Sequence, residues 1–133
     1  MRHNGSANRL YLRDQASPVA ATLLRHNLVS WVHDAGVLPD IAQDIVLSAY
    51  EAMANTVRHA YPDNTVGPLE LRAEIHGNVL SVTVTDHGRW RPPGPHVHSP
   101  CHGLPMIHAL CQRVIWVRGP NGTTVHMTWY QIG

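Results

Sequence analysis

Segments of regular hydrophobic pattern follow one another as β-α-α-β-β-loop-α-β-β. This order predicts an α+β two-layer sandwich, a mostly antiparallel mixed sheet with helices packed on one face. Three observations carry the prediction. Two long stretches, ending at Gly36 and near Tyr61, repeat apolar residues at helical spacing. Residues 69–75 and 79–85 alternate strictly around the turn His76-Gly77-Asn78. Residues 113–118 and 123–130 flank Gly119-Pro120-Asn121-Gly122, a hairpin signature.

The elements follow in order. Residues 1–8 are polar and expected to be loose, and residues 9–13 alternate like a short edge strand. Ser17-Pro18 supplies an N-cap and a first-turn proline, so a helix starts there. It runs through Val19, Leu23, Leu24, Leu28, Trp31 and Val32 and stops at Gly36. Pro39-Asp40 opens the second helix, and Pro62-Asp63-Asn64 closes it. In the strand over residues 79–85, Leu80, Val82 and Val84 share one face while Ser81, Thr83 and Thr85 share the other. Residues 87–102 form a loop rich in proline and histidine, after which Gly103 opens a short helix from Leu104 to Cys111.

With 133 residues, the sequence describes a single domain (1–133) large enough for a sizeable core. No run of about 18 apolar residues suits a membrane span, and no export leader is legible. The formal net charge of +1 argues against a dedicated nucleic-acid binder. Cys101 and Cys111 are the only cysteines, and they read as reduced thiols in the cytoplasm.

The second helix carries the chemistry. On a helical wheel Ile41, Ala42, Ile45, Val46, Ala49, Ala52, Met53, Thr56, Val57 and Ala60 form a wide apolar arc, extended by Leu47, Tyr50, Ala54 and Tyr61. One narrow polar strip remains: Asp40, Asp44, Ser48, Glu51, Asn55, Arg58 and His59. A helix apolar over most of its circumference is largely buried, so the strip is expected to face a cleft. An ordinary solvated face is the competing reading, but such faces usually carry Lys and Glu. Here a carboxylate, an amide and an imidazole stand at i, i+4 and i+8. Glu51 stacked over Asn55 suits a magnesium-nucleotide site, because magnesium keeps most of its waters and takes few protein oxygens. The carboxylate then stays free to accept a proton.

Asp86 continues the parity of Leu80, Val82 and Val84, so it ends its strand on the apolar face. A carboxylate there needs a strong hydrogen-bond partner, and a purine amino group is one. Thr123 shares the inward parity of Val125, Met127 and Trp129 and could assist Asp86. Alternatively Asp86 is a turn residue before Gly88.

These residues carry a resemblance. Glu51 to Ala60 reads E-x-x-x-N-x-x-x-H-A, which resembles the N box of the GHKL (Bergerat-fold) ATPase superfamily. Asp86-His87-Gly88 resembles its G1 box, Gly103-Leu104-Pro105-Met106-Ile107 its G2 box, and Gly122-Thr123 its closing G-T box. The four motifs stand in the family's order over roughly residues 50–125. The resemblance implies ATP and Mg2+ as cofactors, residues 87–102 as an ATP lid, and phosphates at Gly103 and Leu104. It makes Asp86 the adenine-amino ligand with Gly88 letting the backbone approach. Where the family's lid ends in G-x-G-L, this chain has Cys101-His102-Gly103-Leu104. Arg89 and Arg91 are candidate phosphate contacts.

A chain of this size and layout is similar to the stand-alone anti-sigma factor serine kinases. That similarity implies a sigma factor and an anti-sigma-factor antagonist as partners, a homodimer, Glu51 as general base, and Asn55 as magnesium ligand. Two other readings stay open. The domain could bind ATP and a protein partner without catalysis. His96, His98, Cys101 and His102 could also bind zinc or nickel as H-x-H-x-x-C-H.

Overall fold

The computed structural model describes residues 8–62, 65–89 and 104–133. Its elements are β1 (Arg9–Gln15), α1 (Pro18–Asp34), α2 (Pro39–His59), β2 (Pro68–His76), β3 (Val79–Asp86), α3 (Leu104–Leu110), β4 (Arg113–Gly119) and β5 (Gly122–Tyr130). The expected order is therefore the observed one, with β1 two residues longer than its alternation suggested. The strands form one five-stranded sheet in the order β1-β2-β3-β5-β4. All four pairings are antiparallel.

Strand parity makes the core. Leu10, Leu12, Leu69, Leu71, Ala73, Leu80, Val82, Val84, Val125, Met127 and Trp129 are buried on one face, where the helices pack. Ser81, Thr83, Thr85, Arg72 and His126 lie on the open face. β4, at the sheet edge, packs Val114 and Trp116 against the core and exposes Ile115 and Val117.

Ser17 caps α1 as expected, its hydroxyl accepting from the Ala20 amide at 3.0 Å. The buried stripe of α1 is Ala20, Ala21, Leu24, Leu28, Trp31 and Val32. Val19 and Leu23 are exposed at 69% and 50% and do not join it. At 100° per residue they project to the far side of that stripe, a placement that apolarity alone does not reveal. On α2, Ile45, Ala49, Ala52, Met53 and Thr56 are buried over the sheet. Leu47 departs from the expected arc. It is exposed and lines an outward groove of about 450 Å³ between α1 and α2, with Val29 and Val46.

Candidate functional site

The polar strip of α2 grades from solvent to interior. Asp40 is exposed, Asp44, Glu51 and His59 are half-buried, and Ser48 and Asn55 are fully buried. A solvated face does not bury an amide completely, so the strip faces inward at Asn55. The Asn55 Oδ1 accepts a hydrogen bond of 2.7 Å from Nη2 of Arg58, one turn on. The Asn55 Nδ2 and the Ser48 Oγ have no hydrogen-bond partner in the described structure. Orphaned polar atoms cost free energy, and a bound polar ligand is one way to satisfy them. Glu51 stands one turn before Asn55 on the same strip.

Asp86 is the second anchor. It is 2% exposed at the inner end of β3, paired across to Leu69 on β2 and to Thr123 on β5. Asp86 thus lies on the inner face as its parity predicts, and its carboxylate is compensated locally. The Asp86 Oδ1 accepts from the backbone N–H of Gly88 at 3.1 Å and of Thr123 at 3.3 Å. The Asp86 Oδ2 accepts from the Thr56 hydroxyl at 3.4 Å. Thr123, 4% exposed, therefore serves Asp86 through its amide. Thr56 lies on the apolar arc of α2, and its hydroxyl contributes a donor that the wheel position does not announce. The available signal was a hydroxyl on an otherwise apolar face, which must find a partner once buried.

Two glycines permit this geometry. A Cβ on Gly122 would lie 2.2 Å from the Asp86 carbonyl oxygen. Any side chain there would push β5 off the end of β3. A Cβ on Gly88 would lie 2.0 Å from the Ala60 carbonyl oxygen. The chain after Asp86 passes so close to the end of α2 that the Arg89 amide donates to that carbonyl at 2.8 Å. The requirement for glycine at 88 is thus already set by packing against α2.

Tyr61 completes this junction. Its hydroxyl donates to the Pro68 carbonyl at 2.6 Å and accepts from the His87 amide at 2.9 Å. Burial, the largest influence, raises the Tyr61 phenol above its ordinary value. The His87 Nε2 meets the Glu70 Oε2 at 2.5 Å, and the Tyr11 hydroxyl donates to the other Glu70 oxygen at 2.7 Å. Burial by itself would raise the Glu70 carboxyl, but the bonds from His87 and Tyr11 hold it below the ordinary carboxylate range. The end of α2, which carries Asn55 and Thr56, is thereby fastened to the end of β3, which carries Asp86. On the helical wheel Tyr61 reads only as an extension of the apolar arc.

Beyond Asp86, Arg89 and Arg118 border a cavity of about 420 Å³ with Gly119, Pro120 and Thr123. Arg89 thus stands beside the Asp86–Thr123 pair. Leu104 opens α3 as expected. Gly103, Arg91, and the cluster His96, His98, Cys101 and His102 lie outside the described residues, as does the expected lid beyond Arg89. Among the described residues, no group of three or more His, Cys, Asp or Glu side chains could hold a metal ion. No helix there is long and apolar enough to cross a membrane.

Helices thus cover one face of an antiparallel sheet, with a buried carboxylate at a strand end and a buried amide on the facing helix. A family model described as the histidine kinase-like ATPase domain matches residues 15–129, and the chain belongs to that family. Family membership implies the use of ATP. The chain is similar to the serine-protein kinase RsbW of Bacillus velezensis, 27% identical over 145 residues covering 96% of this chain and 89% of that protein. It is likewise 27% identical to the serine-protein kinase RsbW of Bacillus subtilis, over 96% of this chain and 89% of that one. Among solved structures, the RsbU and RsbW domains of a Mycobacterium tuberculosis protein superpose with a TM-score of 0.76 at 27% identity. That match covers 92% of this chain and 31% of the other.

Proposed function

We propose that the chain is an ATP-dependent anti-sigma factor and serine-protein kinase. It binds a sigma factor and phosphorylates a serine of a small anti-sigma-factor antagonist. The observation that carries this reading is the pairing of Asp86, a buried carboxylate held by Gly88, Thr123 and Thr56, with the buried Asn55 on the adjoining helix. The likeness to serine-protein kinases supports the reaction type.

Each residue then has a task. Asp86, steadied by the Thr123 amide, accepts a hydrogen bond from the adenine amino group. Gly122 and Gly88 let the surrounding backbone close on that carboxylate. The Asn55 amide oxygen is the ligand available to magnesium, whose charge, when bound, neutralises that of the phosphates. Glu51 takes the proton from the antagonist's serine hydroxyl as that oxygen attacks the γ-phosphorus and the bond to the β-phosphate breaks. Leu104, where α3 begins, and Gly103 before it in the sequence receive the phosphates. The reading covers residues 1–133 as a single ATP-binding domain with residues 87–102 as its lid, working as a cytoplasmic homodimer.

The decisive experiment is phosphate transfer from labelled ATP to the cognate antagonist by wild type and Glu51→Gln. The variant keeps the shape and hydrogen bonding of Glu51 but lacks the base. Transfer should fall by about 10²–10⁴-fold while ATP binding and sigma-factor binding persist. Undiminished transfer in the variant refutes Glu51 as base. ATP and sigma-factor binding without transfer by wild type identifies an ATP-dependent binding module instead.

A further inference from the structure

The hydrogen bond from Arg58 to Asn55 sets a condition on the metal. The Asn55 amide is fully buried, whereas Arg58, three residues on, is exposed. The 2.7 Å bond places a permanent positive charge on the one oxygen of this side chain that could ligate a cation. Magnesium holds its oxygen ligands at about 2.0–2.1 Å. A guanidinium nitrogen at 2.7 Å and a magnesium ion at about 2.0–2.1 Å from one amide oxygen would sit about 4–5 Å apart, where like charges repel.

We infer that Arg58 is a displaceable plug on the metal-binding oxygen of Asn55, present in the nucleotide-free protein and expelled when magnesium enters. This deepens the reading of Asn55 as magnesium ligand and rests on it. The plug also has an orienting effect. The Asn55 Nδ2 has no partner in the described structure to fix the amide. The donation from Arg58 selects the orientation that presents Oδ1, since a flip would set one donor against another. Arg58 thus keeps the oxygen turned toward the place the metal will take, while raising the cost of taking it. Its exposed side chain leaves by rotation about its own bonds, with no movement of α2.

The test is nucleotide affinity of the full chain with magnesium and with EDTA, for wild type, Arg58→Ala and Arg58→Lys. The quantity read is the ratio of the two Kd values, metal-free over magnesium-bound. In Arg58→Ala the displacement cost vanishes, so the ratio should rise about tenfold, the lower end for a hydrogen bond to a charged group. Arg58→Lys retains a cationic donor and should stay near the wild-type ratio. Arg58→Ala takes the donor from the buried Asn55 oxygen, so it should melt a few degrees below wild type, a loss that both Kd values share and that the ratio does not register. An unchanged or smaller ratio in Arg58→Ala overturns the plug, as does a Lys variant that behaves like the Ala variant. A wild type whose nucleotide affinity ignores magnesium overturns the assignment of Asn55 itself, a failure distinct from the first.

Discussion

Replacing Asp86 by Asn separates what the carboxylate does for folding from what it does for the nucleotide. One Asp86 oxygen accepts from two backbone amides, at 3.1 and 3.3 Å, and the other accepts from the Thr56 hydroxyl at 3.4 Å. An Asn amide oxygen can keep both backbone bonds. Its NH2 group then faces Thr56, whose hydroxyl can rotate to accept. The folded state therefore loses only the charge on long hydrogen bonds, about 1 kcal/mol, or a few degrees in Tm. At the ligand the same exchange sets a donor against the adenine amino group. A hydrogen bond to a charged acceptor contributes about 1.5–3 kcal/mol, so ATP affinity should fall roughly 10- to 150-fold. Asp86→Ala should behave differently, because two buried amides lose their acceptor at about 1–3 kcal/mol each, lowering Tm on the order of 10 °C. Calorimetric ATP titration and thermal melts without nucleotide read the two effects separately. Wild-type ATP affinity in Asp86→Asn would refute the adenine assignment. An unshifted melt in Asp86→Ala would refute the structural role of the two amide bonds.

Three further outcomes are expected. Thr56→Val keeps the volume but removes a donor to Asp86, so ATP affinity should drop about three- to tenfold; an unchanged Kd would make Thr56 a packing residue alone. Tyr61→Phe deletes the bonds to Pro68 and from His87 and should cost about 1–3 kcal/mol by urea denaturation, whereas an unmoved midpoint would show that the junction holds without them. Glu70, held below its ordinary value of about 4.5, contributes stability that is complete above that pH and is lost as pH falls through the lowered folded value. Glu70→Gln should thus be less stable than wild type at pH 7, with the gap closing toward pH 3; a constant gap would contradict the linkage.

The sequence by itself determined the element order, the strand faces and the inward aim of Asp86. All three follow from local rules: helical and strand periods, Ser17-Pro18 and Pro39 at helix starts, and turn residues between strands. Asn55 and Glu51 were legible for the same reason, since residues four apart share a helix face. The tertiary structure decided who meets whom. Thr56 reaches Asp86 across 30 residues of chain, and the Thr123 amide reaches it across 37. These meetings depend on the β3–β5 register and on how α2 lies over the sheet. No periodicity encodes either, because slipping a strand by one residue preserves its pattern while reversing its faces. The sequence marked Gly88 and Gly122 as motif glycines, but their steric need arises where separate segments touch, at the Ala60 and Asp86 carbonyls. Arg58 divides the two cases. Its spacing from Asn55 is local, but the burial that leaves one amide oxygen under a single guanidinium belongs to the folded packing.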